Sequence, residues 1–403
     1  MKPKRPWPIL FAFITILSCL LSGLPPMPAL SADARIAPQA GRRAPARPRP
    51  EPVPTAEESK SEPSAPQSGA KKEQSGQKKP AEQEKPVVEG PPGEIVQLGA
   101  ELVSVPVVVF DKKGNLYTAL KKENFTVYED GIKQEITTFS NVEAPITMVV
   151  VIEFSKIIQW IRYEVIDPLW LFTTRFMKPG DYIAVVAFDI RPKVLNDFTS
   201  SSAEVMESAR LLDRNWPAFS ESNLFDTLKF VLQGGTVDEA DYKGLVGVRG
   251  RTSVLLVATG LDTFSKINYD EARKIVANSG VPIYSIGVGE LAYLLAEPYL
   301  SGPQRLDFLQ AQNQLRTFSE STGGRFYSVR FQGALPSVLE SISAMMRNEY
   351  VIGYTPTNTR RQGKQRKIKV EVDINGDGAP DNKSLEVQYR TYYIEPKDND
   401  KKK

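Results

Sequence analysis

Five apolar runs constrain this chain more than anything else in it: TMVVVIEF (147–154), DYIAVVAF (181–188), SVLLVAT (253–259), PIYSIGVG (282–289) and RFYSV (325–329). Each is short for a helix and too continuously apolar for a strand with one face in water, so each reads as a strand covered on both faces. The segments between them carry a different period. Ile157, Ile161, Val165, Leu169 and Phe176 fall mainly at four-residue steps and predict one helix; SSAEVMESARLL, SNLFDTLKFVL, YDEARKIVAN and LPSVLESISAMM predict four more. Asn268 with Glu271 supplies a capping pair for the third of these four. Apolar strands alternating with amphipathic helices imply an α/β fold over residues 146–348, a doubly wound, mostly parallel sheet.

Strand signals also flank this region. LVSVPVVVFD alternates into a strand, and NFTVYEDGIKQEITTF reads as two strands about Asp130-Gly131, a turn that needs the positive φ glycine tolerates. After Asn348 come EYVIGYTP, RKIKVEVD and SLEVQYRTYYI. Three strands seldom stand alone. The economical arrangement pairs residues 94–145 with 349–395 as one small β domain, with the α/β domain inserted in it.

The first 34 residues combine a basic start, an apolar run of about sixteen residues from Ile9 to Leu24 and small residues at Ala32-Asp33-Ala34. They read as a signal peptide, which places the protein in the periplasm or outside the cell. An uncleaved membrane anchor and a lipidated Cys19 are the competing readings. Residues 35–93, rich in Pro, Lys, Glu, Gln and Ser, lack the apolar surface to offset ordering entropy and read as a tether. Its two S-x-x-K matches, Ser68 to Lys71 and Ser75 to Lys78, are chance in such a tract. Residues 396–403 are a charged tail. A net charge of +3, with basic residues unclustered outside the tails, gives no reason to expect a nucleic-acid partner. Contact with a membrane is expected only through the signal or anchor.

The chain has no histidine, and Cys19 is its one cysteine. That removes Ser-His-Asp and Cys-His nucleophile systems and ordinary zinc sites. What remains for any catalysis is carboxylates, Lys, Tyr or a hard metal bound by oxygen, and the place to look is the carboxyl ends of the strands, where open α/β sheets bind ligands. Glu153 and Ser155 lie there, as do Thr259-Gly260-Leu261-Asp262 and Ser222.

These positions, and the order of elements over roughly residues 99–395, resemble a von Willebrand factor type A domain. The flanks NFTVYEDGIKQEITTFS and EYVIGYTPTN resemble the bacterial relatives that carry such a domain between β segments. The resemblance implies a metal-ion-dependent adhesion site of the form D-x-S-x-S, a later Thr and the Asp of a TDG turn, which hold Mg²⁺ for a partner's carboxylate. Here Glu153 stands at the first Asp, Ser155 at the first Ser, Ile157 at the second Ser, Ser222 at the Thr and Thr259 at the turn's Asp. Two positions are conservative, one is retained and two are lost, which weakens any octahedral Mg²⁺ site. Asp262 is the nearest acid that could restore the charge.

Blander readings stand beside these. Glu153 is a loop acid paired with Lys156, Lys266 or a helix N-terminus, and Ser155 and Ser222 are N-caps. GVGELA, from Gly287, satisfies a dinucleotide pattern but sits on a late strand. DINGDGAPD, with Asp373, Asn375, Asp377 and Gly378, resembles half of a calcium loop, yet Ser384 stands at the twelfth position, so a hairpin turn is expected. The function expected is that of an exported, non-catalytic protein-interaction or adhesion module with a degenerate metal site, no cofactor and an unidentified protein partner. Ligand contacts are expected at Glu153, Ser155, Ser222, Thr259 and Asp262. The alternatives are a working Mg²⁺-dependent adhesion domain and a hydrolytic enzyme.

Overall fold

The computed structural model describes residues 102–397 apart from 142–144, 238–239 and 249–250. The signal, tether and tail readings lie outside them, apart from residues 396–397 of the tail. The chain opens with strands β1 (Val103–Asp111), β2 (Phe125–Glu129), β3 (Ile132–Gln134) and β4 (Ile136–Ser140). Between β2 and β3, Asp130 (φ 48) and Gly131 (φ 85) are both left-handed, as a two-residue hairpin turn requires.

An α/β segment follows. It runs through β5 (Thr147–Glu153), α1 (Arg162–Leu171), β6 (Tyr182–Phe188), β7 (Pro192–Thr199), α2 (Ser202–Arg214), α3 (Leu224–Gln233) and the small hairpin β8 (Gly235–Val237) with β9 (Ala240–Tyr242). It continues through β10 (Thr252–Ala258), α4 (Tyr269–Ser279), β11 (Ile283–Gly287), α5 (Gly289–Ala296), α6 (Gly302–Ser321), β12 (Phe326–Ser328) and α7 (Leu335–Arg347). The last strands are β13 (Tyr350–Tyr354), β14 (Gln365–Val372), β15 (Leu385–Tyr389) and β16 (Tyr392–Ile394).

The central sheet has the order β12-β11-β10-β5-β6-β7, and every neighbouring pair is parallel except β6 with β7. Strand periodicity divides its core in two. Met148, Val150, Ile152, Leu255 and Val257 pack with α1, α2 and α7; Val149, Val151, Val254 and Leu256 pack with α3, α4 and α6. Both faces of β5 and β10 are therefore covered, which explains runs with no polar alternation.

Strands from both sides of this segment share two further sheets, β15-β1-β13-β4 and β16-β14-β2-β3. Their inner faces, including Val105 and Val107 of β1, Val127 of β2, Ile352 of β13 and Val370 of β14, form one core. The other face of β1 contributes Val108 and Phe110 to the core of the α/β body. The sandwich is also riveted to α4: Arg390 donates to the carbonyl of Ala277 at 2.5 Å, and Ile394 N–H donates to Asn278 Oδ1 at 2.8 Å.

Several sequence expectations are corrected. The helix expected from Ile157 to Phe176 is broken: a 3₁₀ turn occupies Lys156–Ile158, α1 begins only at Arg162, and Phe172–Phe176 is a π turn. Pro168 inside α1 removes one backbone donor from that ladder. The second strand expected after Gly131 is two strands, because the chain changes sheets at Glu135: β3 pairs with β2, whereas β4 pairs with β13. The DINGDGAPD segment is not a hairpin turn. It crosses from β14, paired with β2 and β16, to β15, paired with β1.

Candidate functional site

From β5 the chain winds outward to β6 and β7, then returns to the other side of β5 for β10, β11 and β12. The reversal between β5 and β10 is where loops diverge and an open α/β sheet forms its crevice. Glu153 ends β5, and Thr259 directly follows β10. Their side chains meet. Glu153 Oε2 accepts from Thr259 N–H at 2.7 Å and Thr259 Oγ1 at 2.8 Å, and Oε1 accepts from Ser155 Oγ at 2.8 Å. All three residues are fully buried.

Ser222 is fully buried as well. Its Oγ makes no hydrogen bond of ordinary geometry among the described residues, yet it lies near enough to Glu153 to favour the charged carboxyl. Desolvation pushes the Glu153 carboxyl up from its ordinary value; the bonds from Thr259 and Ser155, with a smaller pull from the nearby Ser222 hydroxyl, oppose this and lose. Among the described residues no cation forms an ion pair with Glu153, so the pairing with Lys156 or Lys266 is not what holds it. Ser155 does not cap the following turn with its side chain, because the hydroxyl is turned to Glu153.

Asp262 belongs to a different cluster. Its Oδ1 accepts from Phe225 N–H at 3.2 Å and from Ser265 Oγ at 2.5 Å, so it caps α3 instead of joining Glu153. Burial raises its carboxyl despite those bonds, with Asp226 adding a little. Ser222 is no helix cap either; its backbone is knitted to the next loop, with Ser222 N–H donating to Thr263 Oγ1 and its carbonyl accepting from Thr263 and Phe264.

Sequence reasoning missed Gln312 on α6, whose Nε2 donates to the Thr259 carbonyl at 2.8 Å. The glycines of GVGELA serve this approach: a Cβ on Gly289 would lie 2.3 Å from Gln312 Nε2, and one on Gly287 2.5 Å from the Phe326 ring. They are close-packing glycines. In DINGDGAPD, Asp373 accepts from the amides of Gly376 and Gly378 at 2.7 and 2.8 Å, and Asp381 from that of Ile374. The loop's own amides occupy those carboxylates.

The donor set at the switch point does not fit Mg²⁺. It offers one carboxyl, raised by burial and bonded at both oxygens, and Ile157 and Thr259 stand where two of the implied ligands belong. No group of three or more His, Cys, Asp or Glu able to hold a metal gathers among the described residues.

Around this closed centre the rim is aromatic. Trp160 is 71% exposed and Trp216 68%, with Tyr163, Phe219 and Phe264 also outward. Three of them are tied to the segment that follows β5: Lys156 N–H donates to the Phe219 carbonyl at 2.7 Å, and the buried Arg162 guanidinium lies 4.6 Å from the Trp216 ring and 5.6 Å from Tyr163. Arg162 also pairs with Asp213 at 3.0 Å.

A doubly wound sheet with its polar centre at the switch point is the arrangement implied by the resemblance to von Willebrand factor type A domains. Solved structures similar to this chain include such proteins. The conserved hypothetical protein BatB from Bacteroides thetaiotaomicron is 12% identical, covering 50% of this chain and 98% of that one at a TM-score of 0.34. The vWF domain of the type V pili tip protein Mfa5 from Porphyromonas gingivalis is 13% identical, covering 51% and 96% at 0.35. A von Willebrand factor type A protein from Catenulispora acidiphila is 9% identical, covering 75% and 76% at 0.37. No protein-family model and no curated protein matches the chain.

Proposed function

We propose that this is an exported, non-catalytic module that binds another protein through the aromatic rim around Glu153. The observation that carries the reading is a contrast. The carboxyl, the amide and two of the three hydroxyls at the switch point are turned inward on one another, while Trp160 and Trp216 stay largely exposed and, among the described residues, the one ring contact of the pair is that of Arg162 with Trp216. Aromatic side chains that are large, rigid and exposed beside a scaffolded loop cluster are the anchors protein interfaces use. The basic start and apolar run of the N-terminal sequence support export, and the absence of histidine and of any cysteine beyond Cys19 supports binding over hydrolysis. Among the described residues no helix is long and apolar enough to cross a membrane.

The test is capture from an envelope fraction with the full chain and with a Trp160→Ala/Trp216→Ala variant. A protein bound by the wild type and lost with the variant is expected; capture indifferent to the rim overturns the reading. Isothermal titration with Mg²⁺ and Mn²⁺ tests the adhesion-site alternative, for which the unpartnered Ser222 Oγ is the one favouring observation. Heat that Glu153→Ala abolishes would establish that alternative.

A further inference from the structure

The α/β body is joined to the sandwich by two connections, and the returning one is short: α7 ends at Arg347, β13 begins at Tyr350, and only Asn348 and Glu349 lie between. Glu349 is 7% exposed, and its carboxyl accepts no hydrogen bond among the described residues. It lines a small cavity with Ile146, Arg251, Thr252, Ser253 and Met346, so the cavity touches the outgoing connection as well.

Arg251 reaches across this joint. Its Nη1 donates to the Arg347 carbonyl at 3.4 Å and its Nη2 to Ser140 Oγ, at the end of β4 in the sandwich, at 3.5 Å. Both bonds are long, and bonds of that length are easily exchanged. The other charges nearby are fixed: Arg347 pairs with Asp181 at 2.7 Å, and Asp181 also accepts from the amides of Ile146 and Lys178. Tyr284 of β11, whose buried hydroxyl has no partner among the described residues, also senses the Glu349 charge.

We propose that Glu349 makes the docking of the sandwich on the α/β body proton-controlled: the neutral carboxyl keeps the joint closed, and ionisation draws Arg251 off Ser140 and Arg347 and loosens it. Burial pushes this carboxyl up to about 8 against the pull of Arg251, so in the closed joint it is mostly neutral at pH 7. In an opened, hydrated joint the carboxyl returns to its ordinary value of 4.5. The open fraction then rises about tenfold per pH unit between those two values and levels off above the higher one.

Amide hydrogen exchange of the full chain from pH 6 to 9.5, with intrinsic base catalysis divided out, reads this directly. Peptides covering 136–141 and 345–354 are expected to gain opening about tenfold per unit to a plateau near pH 8, while β10 stays flat. Glu349→Gln removes the slope. Arg251→Met moves the plateau to higher pH, because the guanidinium is what holds the carboxyl down. A flat wild type, a slope that survives Glu349→Gln, a slope that spreads into β10 or a plateau unmoved by Arg251→Met each overturns the proposal.

Discussion

Replacing Glu153 with alanine is expected to cost about 3 kcal/mol of folding free energy. The change removes the acceptor for three donors: Thr259 N–H, Thr259 Oγ1 and Ser155 Oγ. A buried amide left without a partner costs about 1–3 kcal/mol, and each hydroxyl, free to turn elsewhere, loses about 0.5–1.5 kcal/mol. Release of the carboxyl from burial offsets part of that sum. Glu153→Gln keeps an oxygen for Thr259 and an amide that Ser155 can accept from, so its cost is about 1 kcal/mol or less. The two side chains differ in pH response. Because the Glu153 carboxyl is raised in the folded state, it adds a loss of stability as pH climbs above the ordinary 4.5 that the glutamine form lacks. The balance between them therefore shifts toward Gln with rising pH. Urea unfolding followed by tryptophan fluorescence at pH 5 and pH 7.5, with equal m-values as the control, measures both effects. An alanine variant as stable as the wild type would refute the reasoning: Glu153 would then be a strained functional group and not the support of its loops.

Three further changes test the structure elsewhere. Arg366→Met leaves Glu129 and Glu395 buried and facing each other without the guanidinium they share; a loss of about 3–5 kcal/mol is expected, read as a fall in Tm. Gly289→Ala places a Cβ 2.3 Å from Gln312 Nε2 and 2.5 Å from the Thr259 carbonyl, costing about 1–3 kcal/mol; Gln312→Ala added to it restores part, since the carbonyl clash remains. The Asp373 carboxyl is held below its ordinary 3.8 by loop amides, that of Gly378 foremost. The order it gives this loop is present above that value and lost as pH falls through the folded one, so the Gly376 and Gly378 amide resonances should titrate together in wild type and not in Asp373→Asn.

What the sequence made legible followed physical contrast. The runs around Val150 and Leu256 had no alternation because each residue met a core on one face or the other, and that continuity marked the central strands. β7 escaped notice because an edge strand beginning at Pro192 is only half buried and reads as polar. α6 escaped because its buried residues, Ala311 to Ser321, lie in its second half, and Gln312 went with it. At the site, Glu153 and Thr259 were visible as polar residues ending apolar strands. Asp262 carried the same chemistry, but its task is to cap a helix some forty residues earlier in the chain, a tertiary relation that no local spacing displays. The sheet change at Glu135 was hidden for a related reason: β3 and β4 look like one strand until their different partners are known.

β1 is hydrogen-bonded on one side to β13 and on the other to β15, so both its neighbours come from beyond residue 349. During synthesis at roughly 5–20 residues per second, those neighbours trail it by roughly 12–50 s. Until then two rows of unpaired backbone groups flank one of the most apolar segments in the protein, a template for association with other chains. Nascent molecules would need shielding over that interval, and a product truncated before Tyr350 would keep the hazard permanently.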